Sequence, residues 1–231
     1  MSIKLPVIII NYKTYIQATW KGALKLTKVC EKVIKEHGVN VIVAVQATDI
    51  YQLAQETEVP IYAQHVDPIT PGSHTGFVLP EAIKEAGAVG SLLNHAEHKV
   101  DLKDLETTHD KLKEFKFETC LCAANPASSG VLSALNPTFV AFELPSLIGT
   151  GISISKAEPE LVEKSVENII KNGKNVIPLC GAGVSTGEDV YSALKLKTKG
   201  VLLASAFTKA KDPEKVLIDM VNNVKKFEKE G

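Results

Sequence analysis

The sequence contains no arginine: its 26 basic residues are all lysine. A phosphate site in this chain therefore cannot use a bidentate guanidinium fork and must rely on lysine or on backbone N–H groups. Aromatic residues are scarce at 6%, against 45% hydrophobic residues in total, so the core must be built from Val, Ile, Leu and Ala. Such side chains suit parallel strands buried on both faces. Cysteine is limited to Cys30, Cys120, Cys122 and Cys180, with no C-x-x-C pair. On a strand, Cys120 and Cys122 share one face. This usage predicts a reduced, cytoplasmic protein, with Cys122 and Cys180 read as packing residues rather than nucleophiles. No apolar stretch reaches the ~18 residues needed to span a bilayer, and the run Leu5 to Ile10 follows the N-terminus with no leader pattern before it. With a net charge of −1 and no basic tail or stripe, nucleic acid and anionic membrane are poor partners.

What the chain does contain is one unit repeated. A short β-branched run is followed by a loop and then by an amphipathic stretch. The runs are Pro6–Ile10, Val41–Val45, Val59–Ala63, Ala88–Leu93, Phe117–Cys122, Thr138–Phe142, Asn175–Leu179 and Gly200–Leu203. They recur every ~30 residues, the size of a βα unit. Between Thr19 and Gly38 the apolar positions Trp20, Ala23, Leu24, Thr27, Cys30 and Ile34 follow helical spacing, and Gly38 supplies a stop. Ser185-x-x-Glu188 reads as a capping box. Asp212-Pro213-Glu214 reads as a cap, a proline at the first helical position and an acid in the first turn. The last helix is expected to turn Val216, Met220, Val221, Val224 and Phe227 inward. No linker or change of composition divides residues 1–231, which predicts one catalytic domain. Eight unbroken units favour a closed (β/α)₈ barrel over an open α/β sheet.

In such a barrel, chemistry sits at the carboxyl ends of the strands. Asn11 and Lys13 follow the first run, spaced to point the same way over the barrel mouth. Asn94-His95-Ala96-Glu97 follows the fourth, and Glu143 the sixth. Small residues cluster after the sixth, seventh and eighth runs, in Ile148-Gly149-Thr150-Gly151, Cys180-Gly181-Ala182-Gly183 and Ala204-Ser205-Ala206. Singly, each is an ordinary strand-end or turn residue. Together they divide into ionisable groups on one side and glycine-bearing loops on the other. That division suits a charged reaction centre beside a backbone phosphate cradle.

Asn11-x-Lys13, Asn94-His95-x-Glu97, Glu143 and the loop Ile148-Gly149-Thr150-Gly151 resemble the triosephosphate isomerase family. Gly72-Ser-His-Thr-Gly76, the segment Leu179–Glu188 and Val201-Leu-Leu-Ala-Ser205 look like the short archaeal branch of that family. The resemblance covers essentially the whole chain and implies a single TIM barrel. It further implies interconversion of dihydroxyacetone phosphate and glyceraldehyde 3-phosphate in glycolysis and gluconeogenesis, with no cofactor and no metal. In this reading Glu143 removes the proton next to the carbonyl, and neutral His95 and Lys13 stabilise the enediolate. Asn11 positions substrate and Glu97 orients its neighbours. Backbone groups near Ile148, Gly149, Gly183, Ala204 and Ser205 hold the phosphate. Residues 96–98 are expected to open a helix whose N-terminus disfavours imidazolium. A lid from Glu143 to Ser155 would keep the enediolate from expelling phosphate. Thr75 resembles the family's inter-subunit residue, which implies a homodimer or homotetramer.

The sequence departs from the family pattern in the lid hinge. Leu144 stands where the family usually has proline, with Pro145 after it, and Ser146 stands where the archaeal branch commonly has Glu. Ala206 also occupies a frequent glycine position. Three rival readings keep the barrel: an aldolase using Lys13 as a Schiff base, an epimerase with a metal at His95-x-x-His98, and an inactive scaffold.

Overall fold

In the computed structural model, which describes residues 4–230, the eight apolar runs form a closed parallel barrel. Its strands are β1 (Val7–Asn11), β2 (Asn40–Val45), β3 (Ile61–Ala63), β4 (Gly90–Leu93), β5 (Glu118–Ala123), β6 (Phe139–Phe142), β7 (Ile177–Cys180) and β8 (Gly200–Leu203). Each pairs with the next, and β8 returns to β1 through the register Val7↔Gly200 to Ile10↔Leu203. The strand bounds shift from those expected for local reasons. Pro60 cannot donate a ladder bond, so β3 begins after it. Asn175 adopts φ 61° and turns the chain before β7. Asn11 and Cys180, expected in loops, are the last residues of their strands.

The connections are α1 (Lys21–His37), α2 (Ala47–Glu56), α3 (Pro80–Glu85), α4 (Leu102–Glu114), α5 (Pro126–Ser133), α6 (Ile154–Ala157), α7 (Pro159–Asn172), α8 (Gly187–Lys195), α9 (Ser205–Thr208) and α10 (Pro213–Glu230). Gly38 ends α1 as anticipated, at φ 68° with its N–H donating to Ile34 O. Trp20 does not turn inward: it sits before the helix at φ 49° and is 70% exposed, while Leu26 and Val33 fill the face instead. In α10, Asp212 caps Lys215 N–H at 3.0 Å. That helix buries Leu217, Met220, Val221 and Val224, leaving Val216 and Phe227 half-buried. The capping box of α8 lies one residue later than Ser185–Glu188. Thr186 and Asp189 form it, because the N–H groups of Ser185 and Thr186 both donate to Asp189 Oδ2.

Two apolar layers hold this together. An inner cluster that includes Ile9, Ile42, Tyr62, Phe139 and Leu202 fills the barrel. A larger outer cluster joins the strands to the helices. A fully buried Leu or Ile contributes about 1.5–3 kcal/mol, so the outer seam dominates stability. Glycine closes the barrel: a Cβ on Gly200 would lie 2.1 Å from Val7 O. Among the described residues no helix is long and apolar enough to cross a membrane.

Candidate active site

Residues from five loops meet above the carboxyl ends of the strands. Asn11, Lys13, His95, Glu143, Ile148, Gly149, Gly183, Ala204 and Ser205, far apart in sequence, line one cleft. Each is aimed by local structure. Asn11 ends β1, and its Oδ1 accepts the Lys13 N–H at 2.9 Å, which holds Lys13 in a left-handed turn at φ 49°. Spacing alone does not aim the pair: Lys13 lies beyond the strand. Gln64 Nε2 braces the turn by donating to Lys13 O at 2.9 Å. Lys13 Nζ then reaches Glu97 Oε1 at 2.6 Å.

His95 follows Asn94, another left-handed residue at φ 59°, whose side chain donates to Cys122 O at 3.0 Å and accepts from Val100 N–H at 3.2 Å. The expected helix after His95 is absent. Residues 96–98 form only a turn, and α4 starts at Leu102 behind its Asp101 cap. The imidazole is set differently. Glu97 N–H donates to His95 Nδ1 at 3.1 Å, a bond that needs the ring lone pair and so leaves the proton on Nε2. Glu97 Oε2, 3.6 Å from Nδ1, faces the same lone pair and gains no hydrogen bond there.

Glu143 follows β6 and is 6% exposed. Its side chain lies against bare backbone, since a Cβ on Gly181 would come within 2.5 Å of its Cγ. His95 Nε2 is 3.3 Å from Glu143 Oε2, yet off the line of a hydrogen bond, and Oε2 has no partner among the described residues. Burial pushes the Glu143 carboxyl above the usual carboxylate range, with His95, Lys13 and Cys122 only partly offsetting it. The result is a dry carboxylate with one uncommitted oxygen beside a neutral N–H donor and a lysine.

The other wall is backbone. Ala182 and Gly183 take consecutive left-handed conformations at φ 67° and 70°. Gly183 has no room for a side chain, because a Cβ would lie 1.8 Å from Ile152 O. Gly151 and Ala182, in the glycine-bearing loops the sequence pointed to, also line the cleft, as do Tyr15, Val184 and Ser185, which the sequence reading did not single out as site residues. Tyr15 and Ser185 each lie two residues beyond a recognised position, a spacing that could have found them. Glu97 is outside this cleft, in an adjoining pocket with His65 and His98, whose rings stack at 4.1 Å. Thr75 is not brought to the site of its own chain. It is exposed on a loop whose base is tied by Asp67 and Val78.

A family model described as triosephosphate isomerase matches residues 6–224. A Methanobacterium bryantii protein of that name is 48% identical over 219 residues, covering 95% of this chain and 97% of that protein. Proteins of the same name from Methanothermus fervidus and Methanobrevibacter smithii are 47% and 44% identical, each over 95% of this chain and 99% of their own length. These archaeal relatives agree with the resemblance read from the motifs. With strand-end residues in place, a closed barrel and a match over nearly its full length, the chain belongs to the triosephosphate isomerase family.

Proposed function

We propose that Glu143 is the base, His95 the electrophile and Lys13 the charge partner in the interconversion of dihydroxyacetone phosphate and glyceraldehyde 3-phosphate that membership of this family assigns to the chain. The uncommitted Oε2 of Glu143 takes the proton from the carbon next to the carbonyl. Its dry surroundings favour that step, because a carboxylate unsolvated by water is a stronger base. His95 Nε2–H donates to the oxygen on which charge develops, and Lys13 Nζ adds positive charge to the same region. Asn11 positions substrate and holds the Lys13 turn, while Glu97 orients Lys13. The hydroxyl proton passes from its oxygen to the former carbonyl oxygen at the His95 Nε2 side of the enediolate, and Glu143 returns its proton to the neighbouring carbon, completing the isomerisation.

The phosphate goes to the opposite wall, where backbone near Ile148, Gly149, Gly183, Ala204 and Ser205 lines the cleft. A chain without arginine needs this arrangement. The lid from Glu143 to Ser155 closes over the bound triose. The observation that carries the reading is the placement of His95: a backbone N–H donates into Nδ1 on one side, and Glu143 Oε2 faces Nε2 at 3.3 Å on the other. The whole chain acts as one catalytic domain, in the cytoplasm, as a homo-oligomer in which Thr75 of one copy reaches toward the site of another.

The test is a coupled isomerase assay with glyceraldehyde 3-phosphate on wild type and Glu143→Ala. A general base contributes ~10²- to 10⁴-fold, and the variant should lose at least the lower figure. A folded wild type without isomerase activity sinks the reading.

A further inference from the structure

The two ends of the lid are held very differently. Beyond Glu143, whose N–H donates to Ala123 O at 2.9 Å, the hydrogen bonds of its N-terminal half among the described residues stay within the lid: Leu147 N–H donates to Leu144 O at 3.0 Å, and Thr150 Oγ1 donates to Leu147 O at 2.9 Å. Residues 149–152 are exposed. The C-terminal end is fastened to the loop between β7 and α8 and to the first turn of α8. Ile154 N–H donates to Ala182 O at 3.2 Å, and Ser155 Oγ to Asp189 O at 3.2 Å. Lys156 Nζ meets Asp189 Oδ1 at 2.7 Å.

Asp189 is the junction. Its Oδ2 accepts from the N–H groups of Ser185 at 3.0 Å and Thr186 at 2.9 Å, directly after the Gly183–Val184 wall of the cleft. Only 7% of its side chain is exposed. Burial alone would raise its pKa, yet Lys156 and those backbone donors hold it below the usual carboxylate range. One carboxylate thus binds the lid with one oxygen and the loop lining the phosphate wall with the other. Lys156 contributes the only charge on the lid side of this junction, since residues 144–155 contain no ionisable group.

We propose that Lys156 and Asp189 are a positioning pair that pins the C-terminal end of the lid to the phosphate-binding loop, so that the lid closes about this end and in register with the cradle. The pair touches no reacting atom. It acts through Ser185 and Gly183 on one side and through Ile152–Ser155 on the other. This rests on the site reading above. A lid pinned out of register leaves the enediolate open to its side reaction, in which the C–O bond to phosphate breaks and inorganic phosphate leaves with the bonding pair.

The experiment compares wild type, Lys156→Met and Lys156→Arg, with glyceraldehyde 3-phosphate as substrate and Glu143→Gln as the control on the site. The readouts are kcat, KM and inorganic phosphate released per isomerisation. In Lys156→Met, KM and phosphate release should each rise roughly three- to tenfold, with KM changing more than kcat, and Lys156→Arg should restore both. A purely structural pair would lower the melting temperature while leaving the phosphate ratio unmoved, and that result overturns the proposal. Ser155→Ala, which removes the neighbouring tie to Asp189, carries the same readouts should Lys156→Met not fold. If Glu143→Gln collapses while Lys156→Met matches wild type, only the pinning fails. If Glu143→Gln keeps full activity, the site reading and the pinning fall together.

Discussion

Glu143 is kept dry and short of partners, which is costly for the fold. In the unfolded chain a glutamate ionises near ~4.3; in the folded protein burial moves that ionisation upward. The protonated form therefore stabilises the folded state at low pH, and that contribution is lost as pH rises through the folded pKa. Above both values the protein carries an ionised carboxylate that lacks its full solvation. Glu143→Gln should then melt higher than wild type at pH 7.5, each ~1 kcal/mol corresponding to roughly 2–4 °C at this size. The gap should close below about pH 4, where both side chains are neutral. Calorimetric scans across that range check this, and equal melting temperatures at pH 7.5 count against it. With Glu143 as the proposed base, the same shift should place the acid limb of kcat/KM above the ordinary carboxylate range, because a general base works only when ionised. Sequence made Glu143, His95 and Lys13 legible, since each follows a strand. It did not show what sets them, because the donor into His95 is a backbone N–H and the partner of Lys13 lies 84 residues away.

At the scale of elements, Leu144 stands in the proposed lid hinge where the resemblance leads to an expectation of proline. Leu144 takes φ −72°, inside the range that proline fixes at about −65 ± 15°. Its N–H has no acceptor among the described residues, so proline can enter there without losing a bond. Leu144→Pro should restrain the hinge, with turnover falling ~2- to 5-fold and phosphate release per turnover changing with it. Steady-state kinetics and a phosphate assay decide: if neither moves, the hinge residue does not govern the lid. Element ends were legible where a residue type has one strong preference, as at Gly38 or Asp212. They were misread where a neighbour competed. Asp189 drew two N–H groups and moved the α8 cap by one residue. The four-residue helices α6 and α9 span about one turn each, too short to show a period.

Across the whole molecule, closure depends on a seam no single repeat announces. Eight β-branched runs predict eight strands, and their number favours a barrel. Which strands meet, and how the last finds the first, is decided by packing. At that seam Gly200 faces the Val7 backbone with no space for a methyl group. Gly200→Ala must push β8 from β1 and should cost about 3 kcal/mol or more, as overpacking against backbone does. Its urea midpoint should fall accordingly, and an unchanged midpoint would show that the seam yields.

The four thiols also have a use beyond packing. All are buried and free, and burial raises the Cys30 thiol to about 12. A thiol reagent added to the native protein can reach them only while the structure around them is open. Cys30 sits on the buried face of α1, in the seam between barrel and helices, whereas Cys120 and Cys122 lie inside the barrel. The chain thus carries two internal clocks: one timed by the lifting of a single helix, the other by the parting of the staves.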